Sequence, residues 1–540
     1  MLSVRKTRRK TVAMSELNRR EFLKEAVCLY GQGMLVGGLG AVGGCCIPQQ
    51  KPKPNLVFGV VSDVHVRLAK DGMSLETGYD TDTLEKAFAW YRDQGADAVV
   101  IAGDMADKGL VRELRAVADT WFRVFPNDRA TDGRKVERIF ALGNHDAFGL
   151  ENGKSIFTNA DLLRREAIEA DPAKAWDECF HEEYSPFFRK QVKGYDFFCS
   201  HWRPGVWCNG YAEKGCSGCG DAFVRLMSKC DPRRPFFYIQ HPHPRDTVYG
   251  NGAWGVDDGE ATKLLSAFPR AVSFSGHSHE PLTSEKAIWS DAFTSIATGS
   301  LRYLAASAVW NGVCASGYEN GICNYYKRGV TRQMRPQYIA KYDAPKTMPV
   351  QLCRNDIRVG LMASVYDDRI ELARREFVSG LPVGDDWIVE LPAHKRTFAT
   401  RASIAKPAEF PKGSLLVVTR TVATTRGMER RGDIEVPKEH VAALKLAFPA
   451  ATVGGHVAEY EISAANEEGR QYKTRICAVG GLYPRVHKNF SRGETATIAV
   501  AMLPEGAQIV NVTPLDSFGN RGRSLSAPIP AAMGVDNLKA

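Results

Sequence analysis

The sequence predicts an α/β fold, a layered β-sheet core flanked by helices, followed by a separate all-β region. Three observations carry this expectation: five short apolar runs that each end in a polar cluster, helical periodicity between runs, and a C-terminal stretch dominated by short strand-like segments. The runs Leu56 to Val61, Ala98 to Ala102, Val136 to Leu142, Phe236 to Ile239 and Ala271 to Phe274 are rich in Val, Ile and Phe and bounded by Gly, Pro or polar residues. Such runs read as buried strands. Their ends are Asp63-Val64-His65, Gly103-Asp104, Gly143-Asn144-His145-Asp146, His241-Pro242-His243 and Gly276-His277-Ser278-His279. In an open α/β sheet ligands sit beyond the carboxyl ends of the strands, so five loops far apart in sequence can build one site.

The intervening segments alternate with the strands as helices. Asp82 with Glu85 reads as a capping pair, after which Leu84, Ala87, Phe88 and Tyr91 recur on one face. Glu260 to Phe268 reads as a short helix ended by Pro269. The long region Ala147 to Pro235 holds helix-like Ala160 to Ala170, the aromatic run Tyr184 to Phe188 and strand-like Tyr195 to Ser200. Insertions of this kind shape substrate clefts. Trp202, Arg203, Trp207, Tyr211, Tyr249 and Trp254 either line such a cleft or serve packing. Phe293 to Leu301 and a hairpin over Val359 to Leu372 complete a core placed at residues 55–391. Residues 406–535, with strands at Ser414 to Arg420, Ala458 to Ile462, Tyr472 to Val479, Thr495 to Met502 and Gln508 to Pro514, read as a β-sandwich. The closing Val512 to Gly522 loosely resembles the last hairpin of a fibronectin type III-like module.

Length and charge exclude some functions. At 540 residues the chain has room for two to four domains and a large core. Its net charge is +9, of which residues 1–44 contribute +5, leaving +4 for the rest. That balance gives no reason to expect a nucleic-acid partner. Asn18-Arg19-Arg20-Glu21-Phe22-Leu23-Lys24 precedes a Gly-rich, weakly apolar stretch, and residues 1–45 resemble a bacterial twin-arginine export signal. Seven glycines between Gly31 and Gly44 disfavour a buried helix there, at about 0.8 to 1 kcal/mol each. Val42-Gly43-Gly44-Cys45 resembles a lipoprotein cleavage box with Cys45 as the acylated residue; a plain signal-peptidase cut is the alternative. Residues 46–54, with Pro48, Pro52 and Pro54, read as a stiff tether, and no later run is long enough to span a bilayer. The expected location is periplasmic or on the cell envelope.

Thirteen cysteines suit an oxidising compartment. The insertion near 199–230 concentrates Cys208, Cys216, Cys219 and Cys230, which read as disulfide partners rather than as a structural zinc knuckle, since one C-x-x-C has no second to match it. Cys314, Cys323 and Cys353 either pair as well or stay reduced.

Each polar cluster taken alone is a common satisfied turn. The ordered series D-x-H, G-D, G-N-H-D, a strand-end His and G-H-x-H is more specific, and it resembles the calcineurin-like metallophosphoesterase family over Leu56 to Leu301, more weakly to Leu391. That resemblance implies two divalent transition metals (Mn, Fe or Zn). Asp63, His65, Asp104 and His279 would hold one, and Asp104, Asn144, His241 and His277 the other. It implies hydrolysis of a phosphate ester, monoester or diester, by a hydroxide bridging the cations. His145 resembles the family's catalytic histidine, with Asp146 as its candidate partner or a turn cap. His243 would face substrate or the surface, and Asp107 reads as a local cap. The competing expectation is a surface binding or scaffold lipoprotein with a vestigial metal site, for which loss of a ligand would be the signature.

Overall fold

The computed structural model describes residues 52–202, 224–250, 253, 255–310, 322–324, 348–425, 439–488, 490 and 492–531. The expected export signal at 1–45 and most of the expected tether lie outside the described residues, as do Arg203, Cys208, Trp207, Tyr211, Cys216, Cys219, Trp254 and Cys314. All elements below belong to the unit Lys53–Ala540.

Strands β1 (Leu56–Val61), β2 (Ala98–Ala102) and β3 (Glu137–Ala141) pair in parallel. Their side chains obey the two-residue period of a strand. Leu56, Phe58, Val60, Ala98, Val100, Ala102, Ile139 and Ala141 point to one core. Val61, Val99, Ile101 and Phe140 point to another, under helices α1 (Asp82–Asp93) and α2 (Val111–Val124). The stripe Val111, Leu114, Val117, Ala118, Trp121 and Val124 gives α2 its buried face. Helix α1 starts at Asp82 with Thr81 as its N-cap and no side-chain cap bond, so the expected Asp82–Glu85 capping pair does not form. Asp80 instead accepts from the Asp82 amide at 3.1 Å.

After α3 (Ala160–Glu166) and α4 (Pro172–Phe180) the chain enters a second sheet. It comprises β4 (Phe187–Val192), β5 (Tyr195–Ser200), β6 (Phe236–Ile239), β7 (Ala271–Ser275), β8 (Ile288–Ser290) and β9 (Thr294–Ala297), in the order β4-β5-β6-β7-β9-β8. Helix α5 (Glu260–Leu265) packs on its outer side. A small sheet of β10 (Leu304–Trp310), β11 (Ile322–Asn324) and β12 (Met348–Arg354) follows. The hairpin β13 (Val359–Val365) and β14 (Arg369–Glu376) then returns to pair antiparallel with β1, and β15 (Trp387–Glu390) closes the first sheet as β15-β14-β13-β1-β2-β3.

The two six-stranded sheets face each other. Phe58 packs edge-on against Phe197, Phe237 and Phe274, with ring centroids 5.2, 4.7 and 5.6 Å apart. Each such buried ring contributes roughly 1.5–3 kcal/mol, so this shared core fixes how the strand ends of both sheets meet. The five polar clusters therefore come from two facing sheets, three from the first and two from the second, not from one open sheet.

Beyond residue 406 the chain is all-β. Val417–Thr425, Glu439–Pro449 and Gly493–Ala499 form one antiparallel sheet, and Gln471–Cys477, Glu459–Ala465, Ile509–Leu515 and Leu525–Pro528 another. Their own core gathers Leu444, Leu446, Tyr460, Ile462, Ile498, Val510 and Val512.

Candidate metal centre

The clusters converge at one end of the paired sheets. Asp63, His65, Asp104 and His279 offer ligand atoms all within 4.8 Å of one another, and Asp104, His241 and His277 form a second such group sharing Asp104. Asn144 joins the second group through its Oδ1, 3.0 Å from His241 Nε2. All seven expected ligand residues are thus brought together. His279 Nε2 lies 3.0 Å from Asp63 Oδ1, His241 Nε2 3.1 Å from Asp104 Oδ2, and His65 Nε2 3.2 Å from His279 Nε2.

Backbone groups aim these side chains. The Asp63 carboxylate accepts from the His277 amide at 3.1 Å and from the Ser62 hydroxyl at 2.5 Å; Asp104 Oδ1 accepts from the His145 amide at 2.8 Å. His241 Nδ1 sits 2.8 Å from the Ala102 carbonyl and His279 Nδ1 3.1 Å from the Tyr303 carbonyl. A carbonyl only accepts, so both Nδ1 atoms carry a proton, which leaves both Nε2 atoms as the ligand atoms a cation would take in place of a second proton. Two buried carboxylates, an amide oxygen and imidazole nitrogens converging on one place form a donor set that fits divalent transition metals.

The local backbone is strained to achieve this. Asp63, His65, Asp104, His277 and His279 all have positive φ, between 51 and 70°. Each such non-glycine residue costs of order 1–3 kcal/mol, tolerated where surrounding structure over-determines it and typical of functional sites. The flanking glycines are set by contact: a Cβ on Gly103 would overlap the His241 ring, and one on Gly143 the Asp104 carboxylate.

Without a cation the charges hold one another. Burial alone would raise the Asp63 carboxyl, yet His279, His65 and His241 keep it well below the usual range. Burial opposes a charged His241, but the Asp104 carboxylate beside it pushes the imidazole up to about 9. His277 is pushed down to about 3 by burial and by His241.

His145 stands beside the ligands. Its ring meets His65 edge-on at 4.5 Å, its Nδ1 lies 2.8 Å from the Asp107 carbonyl, and burial lowers its pKa. The Asp146 carboxylate does not partner that ring: it accepts from the amides of Met105, Ala106 and Gly143 at 3.2, 2.7 and 2.7 Å. It ties two loops together, as the turn-cap alternative has it, and burial pushes it up to about 7. His243 is fully buried, not a surface residue, and stands apart from both ligand groups.

The Asp107 carboxylate does not form the expected cap; it meets side chains. Its Oδ1 lies 3.2 Å from His65 Nδ1 and its Oδ2 2.6 Å from Arg67 Nε, so it orients a ligand and holds an arginine at the rim. Its position three residues after Asp104, opposite the alternation His65, Arg67, is the only trace this leaves in the sequence. Trp202 is buried with its ring 6.1 Å from His277 and 6.4 Å from His241. Tyr303 stacks on His279 at 4.1 Å.

A layered α/β core with this constellation at its strand ends defines a metallophosphoesterase core. Residues 56–281 match the calcineurin-like phosphoesterase family. Among solved structures the chain is similar to a purple acid phosphatase from yellow lupin (Lupinus luteus) seeds, with 13% identity over 63% of this chain and 55% of that one and a TM-score of 0.35. It is also similar to a conserved uncharacterized protein of Streptococcus pneumoniae, a predicted phosphoesterase, with 11% identity over 62% of this chain and 97% of that one and a TM-score of 0.23. The chain thus spans about half the length of the lupin protein. No curated protein matches the chain. Among the described residues no helix is long and apolar enough to cross a membrane.

Proposed function

We propose that the protein hydrolyses a phosphate ester with two divalent cations, held by Asp63, His65, Asp104 and His279 and by Asp104, Asn144, His241 and His277. The observation that carries this reading is the pair of ligand groups meeting at Asp104. When bound, the cations would supply Lewis-acid stabilisation of phosphoryl charge and an activated water. Asp104, shared by both ligand groups, would contribute to holding each cation. Asn144 is a neutral ligand, so it leaves net positive charge available to the phosphate. His145, with Nδ1–H tied to the Asp107 carbonyl, has Nε2 left to take up a proton and pass it to a phosphoryl or leaving-group oxygen. The buried Trp202 ring and the half-buried Tyr303 ring flank the imidazoles and cover them on two sides.

The completeness of the ligand set supports an active enzyme over a binding protein with a vestigial site. The test is hydrolysis of a generic aryl phosphate by Mn-loaded protein and by the His145→Ala variant. A loss of about a hundredfold or more is expected, and equal background from both would overturn the reading.

The same proposal places the enzyme outside the cytoplasmic membrane. Asn18 to Lys24 and the Gly-rich stretch support export after folding, and Cys45 supports a lipid tether. Arg19→Lys with Arg20→Lys should retain the protein in the cytoplasm, and Cys45→Ala should release it from the membrane fraction; unchanged fractionation of both would overturn this placement.

A further inference from the structure

Next to the ligand loops lies a group of side chains that the proposed chemistry does not use. The Tyr79 ring has the Arg67 guanidinium carbon 3.7 Å from its centroid and that of Arg302 3.5 Å away. Two cations that close to one centroid cannot share a face, so the ring is sandwiched. Arg67 is neutralised by Asp107 at 2.6 Å and faces Glu76 at 3.5 Å. Arg302 has no such carboxylate among the described residues. It is 6% exposed, its Nε has no hydrogen-bond partner, and the polar group its guanidinium meets is the neutral Tyr79 hydroxyl.

The position of Arg302 is set by the metal centre itself. Its own amide donates to Ser300 Oγ at 2.9 Å, and that hydroxyl donates to the Asp63 carbonyl at 3.2 Å. On one side Leu301 donates to the Ser62 carbonyl at 3.0 Å. On the other the Tyr303 carbonyl faces His279 Nδ1 at 3.1 Å, and the Tyr303 ring stacks on His279. Two ligand loops therefore clamp this residue, while Arg67 is fixed by the carboxylate that also faces His65. A buried guanidinium without a counter-ion is unfavourable, and pairing it with an anion is how such a charge is normally satisfied. A guanidinium is also the side chain suited to oxyanions, because its planar fork matches carboxylate and phosphate oxygens.

We infer that Arg302, with Arg67 across the Tyr79 ring, forms a second anion subsite beside the metal centre, taking a phosphate or carboxylate that the substrate carries in addition to its scissile phosphate. The inference rests on the phosphoesterase reading for the identity of the substrate, but the subsite itself is testable by binding alone. The substrate class is then a phosphate ester with a second acidic group near the ester, rather than a simple monoester of a neutral alcohol.

The experiment measures binding of non-hydrolysable phosphonates to the full exported chain by calorimetry, with and without Mn. The probes are phenylphosphonate, 3-carboxyphenylphosphonate and 1,3-phenylenebisphosphonate. Wild-type protein should bind one or both doubly acidic probes at least tenfold more tightly than phenylphosphonate, and which one it prefers distinguishes carboxylate from phosphate. Arg302→Met should reduce that preference at least fivefold, and Arg302→Lys should retain an intermediate preference; if the methionine variant does not fold, the lysine variant carries the comparison. Equal affinity of wild type for all three probes overturns the subsite, as does a preference that survives both substitutions. Failure of the hydrolase reading shows separately, as equal cleavage of aryl phosphate by wild type and His145→Ala.

Discussion

Single atoms decide the centre, because Asp104 is counted in both ligand groups and its carboxylate touches the loops around it. Replacing it by alanine should therefore remove both cations together, where replacing His279 should weaken one set. We expect metal content per chain, measured by elemental analysis after dialysis, to fall from two to none in Asp104→Ala, with activity down at least about a hundredfold. Retention of one tightly held metal would show that the carboxylate is not shared. Gly143→Ala makes the same point without touching a ligand, since the added methyl would overlap the Asp104 carboxylate. It should lower metal content while the circular dichroism of the folded chain persists, and normal metal content would mean the loop yields. The clusters that supply these ligands stand out in the sequence because Asp, Asn, His and Gly follow apolar runs. Asp107 and Arg302 do not stand out. Their significance lies in what they meet across the fold, His65 and Arg67 for one and Tyr79 for the other, and no local pattern records such a meeting.

Elements repeat the contrast. β1, β2 and β6 begin and end where their apolar runs do, since a strand buried on both faces needs apolar side chains throughout. The strand Glu439–Pro449 escaped the sequence reading because Glu439-His440-Val441-Ala442-Ala443-Leu444-Lys445-Leu446 is rich in helix-forming residues. Its pairing with strands on both sides overrides that propensity. Helix α2 is legible in its stripe of Val111, Leu114, Val117, Ala118 and Trp121, whose spacing is helical. Between β3 and β5 the junction is polar: His201 Nδ1 accepts from the Leu142 amide at 3.0 Å, and the Trp202 amide donates to the Leu142 carbonyl at 2.9 Å. Burial pushes His201 down to about 3, so it stays neutral in the folded chain while the unfolded chain takes up a proton near 6.5. Its contribution is fully present above pH 6.5 and is lost as pH falls toward 3, at about 1.4 kcal/mol per pH unit. Asparagine keeps an acceptor near Nδ1 and removes the titration. Urea unfolding at pH 7 and pH 5 should show wild type losing about 2 kcal/mol more than His201→Asn, and equal losses would remove His201 as the acid-sensitive joint.

At the scale of the whole molecule, the core and the C-terminal all-β region are joined by polar contacts around Glu285. Its carboxylate accepts from Arg374 at 3.2 Å, from Arg401 at 2.7 Å and from the Trp387 indole at 3.1 Å, while its amide donates to Ser517 of the C-terminal region at 3.0 Å. Thr283 donates to the Gly481 carbonyl, Tyr483 to Asp356 at 2.7 Å, and Asn520 to the Ala402 carbonyl at 2.8 Å. Cys477, Leu482 and Tyr483 extend the inter-sheet core into this region, so the two parts share apolar as well as polar surface. Arg374 is 4% exposed, and its guanidinium and that of Arg401 have Glu285 as their common carboxylate. Glu285→Ala would leave both cations without it. Breaking a buried pair on one side costs about 3–5 kcal/mol, and because Glu285 is itself a third exposed, solvent screening discounts this to about 2–3 kcal/mol. Arg401 also lies over the Phe518 ring of the C-terminal region, so the loss reaches the docking, and calorimetry should show Glu285→Ala melting below wild type by that amount. If Glu285→Ala instead melts within about 0.5 kcal/mol of wild type, the shared apolar surface alone couples the two parts, and the arginines around Glu285 are bystanders to the docking.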